Sequence, residues 1–173
     1  MDKKTALVTG GSRGIGRAIV MGLAQAGWQV ATSFHQDVQS MRSTQQQAES
    51  LSVQFLSIQA DLAKEEDRLR LVSQTLEAFG QIDLLVNNGG MAPRQRLDLL
   101  VCWQGNRYAL ELKMKEQYRP DTAHAQMFGY LDRLGLSEGW MAVFDRDPAV
   151  GWDTKLSWQT LELDGKTLHL VGL

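Results

Sequence analysis

The run Thr5-Ala-Leu-Val-Thr9, followed by Gly10-Gly11-Ser12-Arg13-Gly14-Ile15-Gly16, constrains this chain more than any other feature. A short, mostly apolar run ending in glycines suits a parallel strand buried on both faces. Residues Arg17 to Ala26 then carry apolar side chains at helical spacing. Strand, glycine turn and helix in this order make a phosphate-binding turn. Glycine permits positive φ and close approach of a pyrophosphate, and the first helical turn offers it N–H groups.

The same alternation continues. Trp28 to Ser33 and Val53 to Ile58 read as further strands, with a surface helix over Gln39–Ser50 between them. Lys64 to Phe79 is predicted as a helix, because Leu69, Val72, Leu76 and Phe79 recur with a period near 3.6 and Gly80 stops it. Ile82 to Val86 makes a fourth strand. Strands alternating with helices imply a parallel sheet with right-handed crossovers, βαβαβαβ in order.

Three motifs in this half resemble the short-chain dehydrogenase/reductase family, whose N-terminal part is a Rossmann-type domain. Thr9-Gly10-x-x-x-Gly14-x-Gly16 is similar to the family's cofactor loop. Asp61-Leu62 matches the position whose acidic side chain meets the adenine ring, and Asn87-Asn88-Gly89-Gly90 resembles the Asn-Asn-Ala-Gly motif after strand four. The resemblance implies cofactor contacts from Gly10, Ser12, Arg13, Gly14, Ile15, Gly16, Asp61, Leu62 and Asn88. Arg13 in the loop, and no acid in Ser33-Phe34-His35 at the end of strand two, favour the 2′-phosphate of NADP over a free ribose hydroxyl. The family's catalytic Tyr-x-x-x-Lys is absent from the chain: the residues four after Tyr108, Tyr118 and Tyr130 are Leu112, Thr122 and Leu134. Without a lysine-lowered phenol there is no proton donor to accompany hydride transfer, so the expectation is NADP binding without dehydrogenase activity.

Composition changes near Asn87–Asp98. Four of the five Trp and all three Tyr follow it, whereas the glutamines cluster before it. Leu97 to Trp103 and Arg107 to Lys113 are strand-like runs joined by Gln104-Gly105-Asn106, a hairpin signal. Period-two alternation puts Ala109, Glu111 and Lys113 on one face, and hairpin pairing can bring Asp98 beside them. Two carboxylates and a lysine meeting on a sheet suit a metal-assisted phosphodiester hydrolase, with Asp98 and Glu111 holding magnesium or manganese and Lys113 steadying charge. On spacing alone, an ordinary strand pair with a cross-strand salt bridge is the better explanation of the pattern.

Arg96-Leu-Asp98 through Glu111-Leu-Lys113 resembles the core of the PD-(D/E)XK nuclease superfamily, in particular the nuclease-like C-terminal domain of bacterial AAA-ATPase-like proteins. The likeness continues through Ala123-His-Ala-Gln126, Tyr130-Leu-Asp-Arg-Leu-Gly135 and Gly139 to Asp145. It implies a mixed sheet with one helix, and Gln126 as a further catalytic residue; His124 reads as a surface histidine. Thr154–Leu163 and Lys166–Val171 flank Asp164-Gly165, a C-terminal hairpin in which Trp158 and Leu161 are expected to pack and His169 to lie on a strand face.

The whole therefore reads as an α/β chimera. A truncated dinucleotide-binding segment over 1–96 is fused to a nuclease-like segment over 97–173, the two packed into one compact body. Truncation should leave apolar surface uncovered, which predicts a homodimer. From Leu97 onward there are 8 Lys/Arg against 11 Asp/Glu, so no basic stripe supports a nucleic-acid partner. One cysteine, Cys102, excludes an intramolecular disulfide and reads as a packed thiol. No apolar run approaches the roughly 18 residues of a membrane span, and the expected location is the cytoplasm. Three functions stay open: NADP binding without turnover, metal-dependent phosphodiester cleavage, and a folded fusion with no evolved activity.

Overall fold

A computed structural model describes residues 3–89 and 97–173, so Gly90 and the expected boundary at residue 96 lie outside it. The described residues divide into two compact units. One comprises residues up to 89 with Cys102–Gly105, the other residues 97–101 with Asn106–Leu173.

The first unit follows the predicted alternation: β1 (Thr5–Val8), α1 (Gly14–Gln25), β2 (Gln29–Phe34), α2 (Val38–Glu49), β3 (Phe55–Gln59), α3 (Glu65–Phe79) and β4 (Leu84–Asn87). Its strands lie side by side in the order β3-β2-β1-β4, every adjacent pair parallel. The central strand is closed off on both faces, with Ala6, Leu7 and Val8 at most 1% exposed. Burying Leu7 and Val8 stabilises the fold by about 1.5–3 kcal/mol each relative to exposure. Asp37 caps α2, its Oδ1 accepting from Ser40 N at 3.0 Å. Glu65, Glu66 and Asp67 occupy the first turn of α3, where carboxylates meet the positive end of the helix dipole. Gly80, at φ 80°, closes that helix with an N–H to Leu76 O at 2.8 Å.

The face of α3 differs from expectation. Leu69 (64% exposed), Val72 and Leu76 point to solvent, and Leu71 and Thr75 are buried instead. Leu71 packs with Leu7, Ala31 and Ile58, and Phe79 lies against the same cluster. The helix carries two apolar stripes, and the sheet selected the one that meets these side chains.

The second unit holds β5 (Leu99–Trp103) up to Val101, β6 (Asn106–Met114), a 3-10 turn (Lys115–Gln117), α4 (Pro120–Leu134), β7 (Glu138–Phe144), α5 (Trp152–Lys155), β8 (Ser157–Leu163) and β9 (Lys166–Gly172). Their order is β5-β6-β7-β9-β8, with β6, β7 and β9 mutually parallel and β8 antiparallel to β9. Both expected hairpins form. Gln104 and Gly105 have φ of 50° and 78°, Asp164 and Gly165 φ of 50° and 73°, the positive pair that a tight two-residue turn between twisted strands requires. The core sets Ala109, Met141, Leu168 and Leu170 of the sheet against Ala123, Met127, Tyr130 and Leu131 of α4.

Two details of this unit depart from the sequence reading. Residues Trp152–Lys155 form a short helix where a strand was expected from Thr154, so the unit has two helices. Leu161 packs against the α4 core, but Trp158, on the opposite side of β8, is 62% exposed. Among the described residues no helix is long and apolar enough to cross a membrane.

Candidate functional site

The glycine turn is built by contacts between backbones. Gly10 has φ 73°, and its N–H donates to Ser33 Oγ at 3.1 Å. Asn88, just past β4, donates from Nδ2 to Thr9 O at 2.9 Å and to Gly10 O at 3.2 Å. Thr9 Oγ1 in turn accepts from the N–H groups of Asn88 (2.9 Å) and Gly89 (2.8 Å). A Cβ on Gly16 would overlap Gly10 O and Asn88 Nδ2, and one on Gly89 would overlap the Gly10 backbone. Glycine is thus required here for close approach. The side chain of Arg13, at the N-cap of α1, makes no capping hydrogen bond to the helix.

Beside this turn lies a cleft of about 640 Å³ lined by residues of the loop, the ends of β2 and β3, and Asn88. All nine cofactor-contact residues expected from the sequence line it: Gly10, Ser12, Arg13, Gly14, Ile15, Gly16, Asp61, Leu62 and Asn88. Asp61 is held by its own neighbourhood, its N–H donating to Asp67 Oδ2 (2.7 Å) and its Oδ1 accepting from Ala63 N (3.0 Å). Two contributors were not singled out from sequence. Ser33 was read only as strand, although its hydroxyl fixes Gly10. Asp37, three residues past β2, lines the cleft within electrostatic range of Arg13. The bonds from Ser40 and the nearby guanidinium keep the Asp37 carboxyl below its usual range, so it stays ionised at the rim.

The second expected constellation also assembles. Lys113 Nζ lies 2.6 Å from Glu111 Oε1 and 3.3 Å from Gln126 Oε1, and Gln126 Nε2 donates to Tyr130 Oη at 2.6 Å. Asp98 Oδ2 accepts from Leu112 N (2.8 Å), and Glu111 Oε2 accepts from Asp98 N (3.2 Å). Glu111 is 2% exposed; burial raises its pKa, against the Lys113 bond. Tyr130, absent from the sequence-based set, is buried with a raised phenol pKa. His124 is half-buried and not superficial, its Nε2 2.6 Å from Tyr118 Oη.

This network does not behave as the expected magnesium or manganese site. Both carboxylate oxygens of Glu111 and Oδ2 of Asp98 accept from protein donors, and among the described residues no group of three or more His, Cys, Asp or Glu could hold a metal. The geometry is that of a buried ion pair stitching β6 to the segment before β5 and to α4.

Sequence comparison decides the family. The short chain dehydrogenase family matches residues 4–104. This chain belongs to that family. The 3-oxoacyl-[acyl-carrier-protein] reductase FabG of Staphylococcus epidermidis is 31% identical over 126 residues, covering 73% of this chain and 46% of that protein. An L-rhamnose 1-dehydrogenase (NADP(+)) of Thermoplasma acidophilum is 33% identical over 90 residues, covering 52% of this chain and 35% of the relative. The chain thus spans about half the length of the curated reductases it matches. Among solved structures, a short chain dehydrogenase of Burkholderia cenocepacia in complex with NADP gives a TM-score of 0.50 at 27% identity, covering 88% of this chain and 61% of that one. A dehydrogenase/reductase of Sinorhizobium meliloti gives 0.50 at 25%, covering 83% and 54%.

These matches correct the chimera. The family's match runs through Leu97–Trp103, including Asp98, and the staphylococcal alignment is longer than the 96 residues before the expected fusion point. Neither a PD-(D/E)XK segment nor a phosphodiesterase using Asp98, Glu111 and Lys113 finds support, and the similar proteins are reductases and dehydrogenases. The expectation of an inactive fusion falls with it. A resemblance resting on a few polar residues at strand spacing is easily met by chance in any half-buried hairpin.

Proposed function

We propose that this chain binds NADP(H) at the glycine turn and acts in oxidoreductase chemistry of the short-chain dehydrogenase type, in which bound nicotinamide supplies or accepts hydride. The observation that carries the reading is the cradle itself. Gly10, Gly16 and Gly89 leave no room for side chains, Asn88 and Thr9 lock the two loops together, and α1 presents an uncapped N-terminus to the adjoining cleft. A pyrophosphate there meets backbone N–H groups and the positive end of the helix.

Each residue has a distinct role in this reading. Gly14, Ile15 and Gly16 approach the pyrophosphate, Ser12 and Arg13 meet the adenosine phosphate end, and Asp61 and Leu62 border the adenine. Asn88 holds the turn in its binding shape. Arg13, exposed at the rim, pairs with a 2′-phosphate, which supports NADP(H) over NAD(H). The chain has no Tyr-x-x-x-Lys, so in any turnover the proton is delivered by a group outside that motif.

Titration of the protein into NADPH, followed by the cofactor's fluorescence, tests the reading. Saturable binding that is lost in Gly16→Ala is the expected result, with NADH weaker. NADPH consumption with a 3-oxoacyl thioester, the substrate type named for the staphylococcal relatives, tests turnover. Absence of NADPH binding by the folded protein would overturn the proposal.

A further inference from the structure

In the second unit a cavity of about 290 Å³ opens beyond the carboxyl ends of β6, β7 and β9, bordered by the junction of α5 with β8. Ligands of open parallel sheets bind beyond that end of the strands, and pockets for small molecules start at about 300 Å³. Val143, Val150, Leu170 and Val171 supply apolar walls. The loop that carries Val150 is fixed by its own bonds: Asp145 Oδ1 accepts from Asp147 N, and Asp147 Oδ1 from Ala149 N, both at 2.9 Å. Opposite it, the end of α5 lies tight on β9, since a Cβ on Gly172 would overlap Ser157 Oγ and Lys155 O. The cavity is therefore preformed.

Its charged side chains do not balance. Lys115 and Lys155 line it against a single carboxylate, Asp145, whose side chain is 12% exposed. Both Asp145 oxygens are taken, Oδ2 by Lys115 Nζ at 2.8 Å and Oδ1 by Asp147 N. Lysine ordinarily carries its ammonium out to water. Lys155 turns inward instead: Nζ donates to the main-chain oxygen of Asp145 at 2.7 Å and lies 5.7 Å from the centre of the Trp152 ring. Among the described residues no carboxylate lies within ion-pairing distance of it. We propose that this cavity binds a small amphipathic carboxylate, its anionic head on Lys155 Nζ and its hydrocarbon body against Val143, Val150, Leu170 and Val171. An ammonium has three donors, so Lys155 keeps donors for the anion after bonding Asp145 O. Thr154 and Ser157, which also line the cavity, add hydroxyls beside it.

Titration of the isotope-labelled full chain with octanoate, octanol and octylammonium, followed by amide chemical shifts, tests the proposal. The expected result is saturable octanoate binding at about 1 mM or tighter, which about ten non-hydrogen atoms can supply. Shifts should centre on Val150, Thr154, Ser157 and Gly172. Octanol should bind at least tenfold more weakly, and octylammonium more weakly still. Lys155→Met keeps the stem and drops the charge, so octanoate affinity should fall to that of octanol while octanol is unaffected. Val150→Trp fills the cavity and should weaken both. Far-UV circular dichroism checks that each variant is folded; if Lys155→Met does not fold, the wild-type preference for octanoate over octanol decides. The proposal is overturned by no saturation up to about 10 mM, or by shifts centred on the exposed Trp158 and Leu163. Octylammonium or octanol binding as tightly as octanoate, or a folded Lys155→Met that binds octanoate like wild type, also overturns it.

Discussion

Asn88 and Thr9 hold each other by two reciprocal hydrogen bonds, Asn88 Nδ2 to Thr9 O and Asn88 N to Thr9 Oγ1, both 2.9 Å long. They join the end of β4 to the turn after β1 across 79 residues of sequence. The glycine turn therefore owes its shape to a strand remote in the chain.

Asn88→Ala removes the amide and leaves the carbonyls of Thr9 and Gly10 short of a donor. Losing partners of part-buried backbone groups costs about 1–3 kcal/mol, which urea unfolding should show. NADPH affinity should fall by about tenfold or more, because the turn relaxes before the cofactor arrives.

Two glycines on α1 should respond in opposite directions. Gly16→Ala drives a Cβ into Gly10 O and Asn88 Nδ2, so it should destabilise by about 1–3 kcal/mol and abolish NADPH binding. Gly22 lies mid-helix and exposed, with nothing near its would-be Cβ. Gly22→Ala should stabilise by about 0.5–1 kcal/mol through helix propensity and leave NADPH binding unchanged. Thermal melts of both variants with and without NADPH provide the check.

In the proposed reading, one cation and one anion at the rim of the cleft set cofactor choice. Arg13→Ala should weaken NADPH by about tenfold while changing NADH little, since only the former carries a 2′-phosphate. Asp37→Asn should strengthen NADPH modestly by removing a like charge, although it also weakens the cap of α2. Paired titrations with the two cofactors separate these effects.

Glu111 gives the second unit a pH dependence of definite sign. Its carboxyl pKa is raised above the ordinary 4.5, chiefly by burial, so the folded state takes up its proton more readily than the unfolded chain. Its contribution to stability is complete below 4.5 and is lost as pH rises through the folded pKa. Lys113→Met leaves the buried carboxylate without its ammonium and should cost about 3–5 kcal/mol near neutral pH, with the loss shrinking on acidification. Glu111→Gln should flatten the dependence. Denaturant unfolding of the three proteins across pH 4–8 would show it.

Much of the fold was legible because local rules suffice for it. Alternating strands and helices, the Gly80 stop and both two-residue hairpin turns follow from side-chain period and from residues that accept positive φ. The shape of the glycine turn was legible for the same reason, since glycine spacing between a strand and a helix has one common structural meaning. Period two likewise placed Glu111 and Lys113 on one face, and the fold put Asp98, Gln126 and Tyr130 beside them. What that grouping does was misjudged, because spacing records which side chains meet but not whether their oxygens are already taken by protein donors.

The sequence by itself determined the glycine turn, the parallel first unit and the two hairpins. The tertiary structure alone decided which stripe of α3 is buried, because Leu71 and Leu69 are equally apolar and only the sheet distinguishes them. It also showed that Ser33 and Asn88 fix the turn and that Asp37 lines the cleft within electrostatic range of Arg13. Each of these depends on residues brought together from distant parts of the chain, and no pattern within a single segment encodes such a meeting.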